Sequence, residues 1–342
     1  MSSTQGQATP RDWREDPLGG DYRQHTLHLG NDPEGEGQVF ATVVRYLPEG
    51  TDLQEWPRRP ALLWVHGMTD YFFHTHVAEY FHDQGYAFYA VDLRKCGRSR
   101  REEQRWHYSD NLQHYFPDLT GALDVLSETH GQIFPIGHST GGLIVTLWAD
   151  HLRRSDQVRH ARLGGLVLNS PWLDMMYPKV LLRLAIPALM VVGKRFGSIP
   201  LPGGNLGSYG VSIHKDHHGE WEFDVALKPV RGFPKFLAWA RAVVIGHKQI
   251  HEGGVDVGVP VLTLCSARSW LNHPYSPASD TADAVLDVTQ IQKWAPKLGT
   301  QVEVAPIEGA RHDIFLSLRH AREEAFKVST EWLAKQSQPA SR

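Results

Sequence analysis

Apolar and polar positions along the chain follow a repeated strand–helix rhythm. The stretch "QVFATVVRY" (38–46) alternates and is rich in β-branched residues, the signature of a strand. "ALLWVHG" (61–67) is instead a continuous apolar run ending in Gly, as expected of a strand buried on both faces. A helical stretch over 76–84 and a second buried strand, "YAFYAVDLR" (86–94), follow. Residues 110–130 have helical periodicity with Pro117 near an early turn, "QIFPIGHS" (132–139) is a strand, 140–153 a helix, and "LGGLVLNSP" (163–171) a strand. This alternation predicts an α/β fold: a doubly wound, mostly parallel sheet with helices on both faces.

The rhythm breaks between residues 171 and 258. That segment holds apolar helical pieces, a Gly-rich polar stretch ("GGNLGSYGVSIHKDHHGEW") and an aromatic helix ("FPKFLAWARAVVIGHKQI"). The α/β pattern then resumes with strand "VPVLTLCS" (259–266), a helix over 285–298, strand "QVEVAPI" (301–307) and a last helix over 321–335. The expected organisation is a flexible N-terminal arm over 1–20, a core made of 21–170 and 259–342, and an inserted lid over 171–258.

Composition narrows the field only modestly. With 342 residues, 41% hydrophobic and 21% charged, and a formal charge of −3, the chain carries no electrostatic footprint for nucleic acid. Its densest basic run, "RKCGRSRREEQR" (94–105), is offset by Glu102 and Glu103 and reads as a solvated loop. Two cysteines, Cys96 and Cys265, argue against a disulfide framework. The polar N-terminus has no secretory pattern, and "VLLRLAIPALMVVG" (180–193) is too short, with Arg183 and Pro187 inside it, to span a membrane. A cytoplasmic protein is expected.

The candidate chemistry centres on "IGHSTGGLIV" (136–145), where a buried strand runs through a Gly-flanked Ser139 into a helix. A Gly-x-Ser-x-Gly match is weak evidence in a chain with 31 glycines. Its context adds weight. Gly137 and Gly141 stand where a sharp turn would crowd a Cβ, and the helix N-terminus favours developing negative charge. "VHGM" (65–68) ends an earlier strand, so the Met68 and Thr140 amides can form a two-donor oxyanion hole. "EGARHDIF" (308–315) puts His312, a base suited to neutral pH, in the loop after the last strand. "SDTADAVLDV" (279–288) offers Asp280, Asp283 and Asp287 to orient that histidine. The chain order is serine, aspartate, histidine.

Over residues 38–335 these motifs resemble the α/β-hydrolase superfamily, and within it the monoacylglycerol lipase, lysophospholipase and serine aminopeptidase group. "HGM" resembles that group's oxyanion strand end, and "DLRKCGRS" (92–99) its Asp-x-Arg-Gly-x-Gly-x-Ser loop, with Lys95 and Cys96 as departures. "GHSTGG" resembles its nucleophile elbow, "ADAVLD" (282–287) its acid loop and "GARH" (309–312) its histidine loop. The resemblance implies Ser139 as nucleophile, His312 as base, and Met68 and Thr140 as oxyanion donors, with His66, Gly67, Gly137 and Gly141 shaping the turns. It also implies Asp283 as the acid, with Asp287 the alternative and better read as a helix N-terminal charge, and Asp280 as a cap. The group's aspartate follows its strand within a few residues, whereas here "ARSWLNHPYSPASDTA" intervenes.

The implied activity is hydrolysis of carboxylic esters such as monoacylglycerols or lysophospholipids, with no cofactor and no metal. The expected partner is a small acyl ester or lipid, and the apolar lid stretch either packs in the core or touches a lipid surface. An aminopeptidase or amidase is the alternative, kept open by the lid acids Glu220, Glu222 and Asp224. A non-catalytic binding protein on a hydrolase scaffold is another. Epoxide hydrolases and dehalogenases carry Asp where this chain has Ser139. The runs "HTHVAEYFH" and "HKDHH" match no common zinc pattern and read as exposed or hydrogen-bonded histidines. His138 reads as a local packing or hydrogen-bonding residue.

Overall fold

The computed structural model describes residues 12–177, 179–201 and 206–337. A single nine-stranded sheet organises them, in the order β1-β2-β3-β5-β4-β6-β7-β8-β9. Its strands are β1 (Arg14–Glu15), β2 (Tyr22–Asn31), β3 (Gln38–Tyr46), β4 (Ala61–Val65), β5 (Ala87–Asp92), β6 (Ile133–His138), β7 (Leu166–Asn169), β8 (Val261–Ser266) and β9 (Val302–Ile307). The first three are antiparallel to their neighbours, and β5 through β9 with β4 run parallel. The helices are α1 (Thr75–Asp83), α2 (Phe116–Ser127), α3 (Thr140–Ser155), α4 (Gln157–His160), α5 (Lys179–Arg195), α6 (Gly207–Ile213), α7 (Leu237–His251), α8 (Val288–Trp294) and α9 (Arg319–Ser337).

The continuous apolar runs have a direct cause: β4 sends Ala61, Leu63 and Val65 into one core and Leu62 and Trp64 into the other. The first core is closed by α2 and α3, the second by α1 and α9. Helices α5, α6 and α7 all lie between β7 and β8, where the rhythm breaks. A third, smaller cluster joins Tyr209, Ile213 and Phe223 of that segment to Tyr71, Phe73 and Leu316.

Three expectations change. Residues 12–20 do not behave as an arm: Arg14 and Glu15 pair with β2, and the buried Asp16 accepts from Arg98 at 2.7 Å. The rest of the expected arm lies outside the described residues. The basic run 94–105 is not a solvated loop either. Lys95 is completely buried against Asp32 (2.7 Å), Glu34 (2.7 Å) and Glu36 (2.9 Å), all from the β2–β3 turn. Arg94 pairs with Asp118 at 2.6 Å and Arg98 with Asp92 at 2.8 Å. Finally, the helix expected from 285 starts at Val288, because Asp287 caps it by accepting from the Thr289 amide.

Candidate active site

Strand β6 delivers Ser139 to the carboxyl edge of the sheet. There the backbone turns so sharply into α3 that Ser139 sits at φ 53°, ψ −117°, a region L-residues rarely occupy. The turn closes only because its flanks are glycine. A Cβ on Gly141 would lie 2.3 Å from the His66 carbonyl oxygen, and one on Gly137 2.7 Å from Gly142 Cα. Gly67 is also pressed against the serine: a Cβ there would stand 3.1 Å from that of Ser139.

His312 lies in the loop after β9, with its ring between two partners. Ser139 Oγ donates to Nε2 at 3.0 Å, and Nδ1 donates to Asp283 Oδ2 at 2.9 Å. Asp283 is completely buried, and its Oδ1 accepts from the Val285 and Leu286 amides at 2.8 Å each. A carboxylate so anchored selects the imidazole tautomer whose Nε2 is free to accept. The long insertion ahead of Asp283 does not displace it. Ser269 bridges to Asp283 and the Trp270 amide donates to its carbonyl, so residues 270–282 form a closed excursion from the end of β8. Asp287 is spent as the cap of α8, and Asp280 accepts from Arg311 at 2.9 Å; neither contacts His312.

The Met68 and Thr140 amides have no acceptor among the described residues, and both residues line the same cavity as Ser139. His66 shapes the first of these loops: its Nε2 accepts from the Leu93 amide at 3.0 Å, so Nδ1 carries the proton that goes to the Gly67 carbonyl at 2.7 Å. The cavity encloses about 670 Å³. Trp172, Met175, Trp239, Leu206 and Leu286 supply apolar wall, and Ser139 and His312 lie among its lining residues.

A second carboxylate–histidine pair lies beside the first. Asp313, fully buried, accepts from His74 at 2.9 Å and from Asn169 at 2.8 Å, and Asn169 Oδ1 accepts in turn from the Ile314 amide at 3.0 Å. Burial alone would raise the Asp313 pKa, but the neighbouring His138 and His74 hold it well below the carboxylate range. His138 hydrogen-bonds locally, to the Asn169 carbonyl at 3.2 Å, and burial pushes its pKa down to about 4. The histidine-rich runs do not converge: His76 bonds the Phe315 carbonyl, His82 lies beside Arg59, and His218 stacks on Tyr275. Both cysteines are buried, and burial raises each thiol's pKa.

The family description "Serine aminopeptidase, S33" matches residues 57–318 of the chain. The chain belongs to that α/β-hydrolase family. No curated protein matches it in sequence. Among solved structures it is similar to a monoglyceride lipase from Saccharomyces cerevisiae, solved as a soluble variant with a substrate analogue. The two are 15% identical with a TM-score of 0.66, over 92% of this chain and 96% of that one. It is likewise similar to a carboxyl esterase from Bacillus coagulans bound to glycerol (16%, TM-score 0.62, 92% and 99%). A monoacylglycerol lipase from Paleococcus ferrophilus gives 18%, 0.59, 92% and 99%. At these identities the likeness is one of fold.

Sequence reasoning missed two features of this hydrolase. One is the Asp313–His74–Asn169 cluster. The other is a buried ion pair at 2.6 Å between Asp70, two residues after Met68, and Lys228 from the segment between β7 and β8. The Phe233 amide grips the same loop through Thr69 Oγ1 at 2.6 Å.

Proposed function

We propose that the protein is a serine hydrolase of carboxylic esters with an apolar acyl group, and that residues 171–258 form a lid over its site. What carries the reading is the continuous relay Ser139–His312–Asp283 opening into a mainly apolar cavity. Ser139 Oγ attacks the ester carbonyl while His312 Nε2 takes its proton. Asp283 holds the ring and stabilises the imidazolium. The Met68 and Thr140 amides receive the oxyanion. The tetrahedral intermediate then expels the alcohol, which His312 protonates, leaving an acyl-Ser139 ester. Water attacks that ester with His312 again as base, releasing the acid and restoring the serine.

An ester is favoured over an aminoacyl amide by the cavity's charges. A free substrate amine needs an anion to meet it, yet the cavity's one lining carboxylate among the described residues, Asp70, is neutralised by Lys228. The acids that kept a peptidase open lie elsewhere. Glu220 pairs with Arg322, Glu222 with Lys215, and Asp224 accepts from the Ala226 amide. Helix α5 exposes Val180, Leu184 and Val191 and carries Lys194 and Arg195 in its last turn, a face suited to brief contact with an anionic lipid surface. No helix among the described residues is long and apolar enough to cross a membrane.

Hydrolysis of a ladder of short- to long-chain acyl esters, run beside aminoacyl amides, tests this. Turnover of medium or long acyl esters is expected, and a pure preference for the amides would displace the reading.

A further inference from the structure

We infer that Asn169 is a positioning residue for the proposed relay, its carboxamide holding the His312 loop against the turn that carries Ser139. The inference rests on the serine-hydrolase reading and adds to it what sets the distance between base and nucleophile.

Ser139 and His312 have to meet across the sheet. They stand beyond β6 and β9, and β7 and β8 lie between those strands, so at about 4.8 Å per strand the two ladders end roughly 14 Å apart. Backbone pairing alone therefore does not bring the side chains to the observed 3.0 Å. Asn169 closes β7, between them. Its carbonyl accepts from the Ser139 amide at 2.9 Å, which carries the β6–β7 pairing one step into the elbow. Its side chain reaches the histidine loop: Nδ2 donates to Asp313 Oδ1 at 2.8 Å, and Oδ1 accepts from the Ile314 amide at 3.0 Å. One residue thus grips the nucleophile turn by its backbone and the two residues after His312 by its carboxamide.

Other side-chain anchors near His312 lead elsewhere. Ser266 ties the Ala310 carbonyl to β8 at 2.7 Å, and Arg311 binds Asp280 at 2.9 Å, in the excursion ahead of Asp283. Asp313 completes the joint, because its Oδ2 accepts from His74 at 2.9 Å, where the loop that carries Met68 enters α1. Asn169, Asp313 and His74 are all buried and none lines the cavity, so none meets a substrate held there. A carboxamide suits this place because it offers a donor to a carboxylate and an acceptor to an amide at once. Aspartate would set a second negative charge against Asp313.

The test uses isosteric exchanges in the full chain, read by hydrolysis of a p-nitrophenyl ester and by the rate of fluorophosphonate labelling. Asn169→Asp is expected to lower kcat by about 10²-fold, with KM changed little because the cavity wall is untouched. Labelling should still map to Ser139, slowed by a similar factor. Adding Asp313→Asn reverses the polarity of the pair and removes the repulsion, and kcat should return to within about tenfold of the wild type. A merely structural contact would lower Tm in Asn169→Asp and leave kcat and labelling rate of the folded protein unchanged. That result overturns the inference, as does a double variant no faster than the single one. Should Asn169→Asp fail to fold, Asn169→Ser, which only withdraws the side-chain bonds, is held to the same two rates. A wild type that does not label sinks the hydrolase reading itself, whereas labelling at full speed in the Asn169 variants sinks the positioning role alone.

Discussion

Around Ser139 the side chains are held by short, buried hydrogen bonds, while helix α5, in the segment proposed as a lid, leaves much of its apolar surface in water. Ser139, His312, Asp283 and Asp313 are all buried, and every one has a partner within about 3.0 Å. On α5, by contrast, Val180 is 77% exposed, Leu184 75% and Val191 71%. The sheet edge is closely hydrogen-bonded, whereas α5 presents its apolar side chains to solvent. The sheet edge and the segment proposed as a lid are joined by a few polar contacts, chiefly Lys228–Asp70 and Phe233–Thr69, that land directly on the loop carrying Met68. Through these contacts the position of the cover bears on the proposed oxyanion hole.

The largest effect should come from breaking the relay in the sheet. Asp283→Asn should lower kcat by about 10⁴-fold, because the wrong imidazole tautomer then faces Ser139. Asp287→Asn should change kcat little and cost at most about 1 kcal/mol in helix capping. The opposite ranking in steady-state kinetics would move the acid to Asp287.

Next in size is the join between the regions. Lys228→Met strands the Asp70 carboxylate in a buried site and should destabilise the fold by about 3–5 kcal/mol in chemical denaturation. Adding Asp70→Asn should recover much of that loss. A single variant as stable as the wild type would mean that the pair holds nothing in place.

Acid should destabilise both regions together, because buried histidines lie in the sheet layer and, with His247 of α7, in the segment between β7 and β8. Burial pushes His130, His138 and His247 down to about 4 and His76 and His107 down to about 3. The unfolded chain binds protons at these histidines from about pH 6.5 downward, whereas the folded chain does not until about pH 4. Stability is therefore complete above 6.5 and declines as pH falls toward 4. Tm measured across that window should drop steadily, and a flat profile would contradict the burial of these rings.

The smallest effect is expected on the cover itself. Leu184→Asp should shift stability by no more than about 0.5 kcal/mol and leave turnover of a water-soluble ester unchanged. It should weaken binding to anionic vesicles roughly tenfold. Unaltered vesicle binding would remove the lipid-facing role of α5.

Most of the parallel strands were legible because both their faces are apolar, β9 being the partly exposed exception, and the candidate site could be proposed because its residues sit at strand ends in a fixed order. β2 was not, since "YRQHTLHLGN" lies in the antiparallel margin and buries little beyond Tyr22 and Leu27. The burial of Lys95 could not be read locally, because Asp32 and Glu34 stand 63 and 61 residues upstream. Asp283 could be picked only by its spacing. That it returns to the end of β8 depends on the bridge to Ser269, a contact with no signature in the chain. Asp70 and Lys228, 158 residues apart, meet only once the segment between β7 and β8 has folded over the sheet.

The central claim is that Ser139 is a nucleophile activated by His312. Intact-protein mass spectrometry after fluorophosphonate treatment tests it most directly. One adduct per chain, mapped to Ser139 and lost in both Ser139→Ala and His312→Ala, is the result this account requires. A wild type that stays unlabelled, or a Ser139→Ala variant that labels equally well, would contradict it.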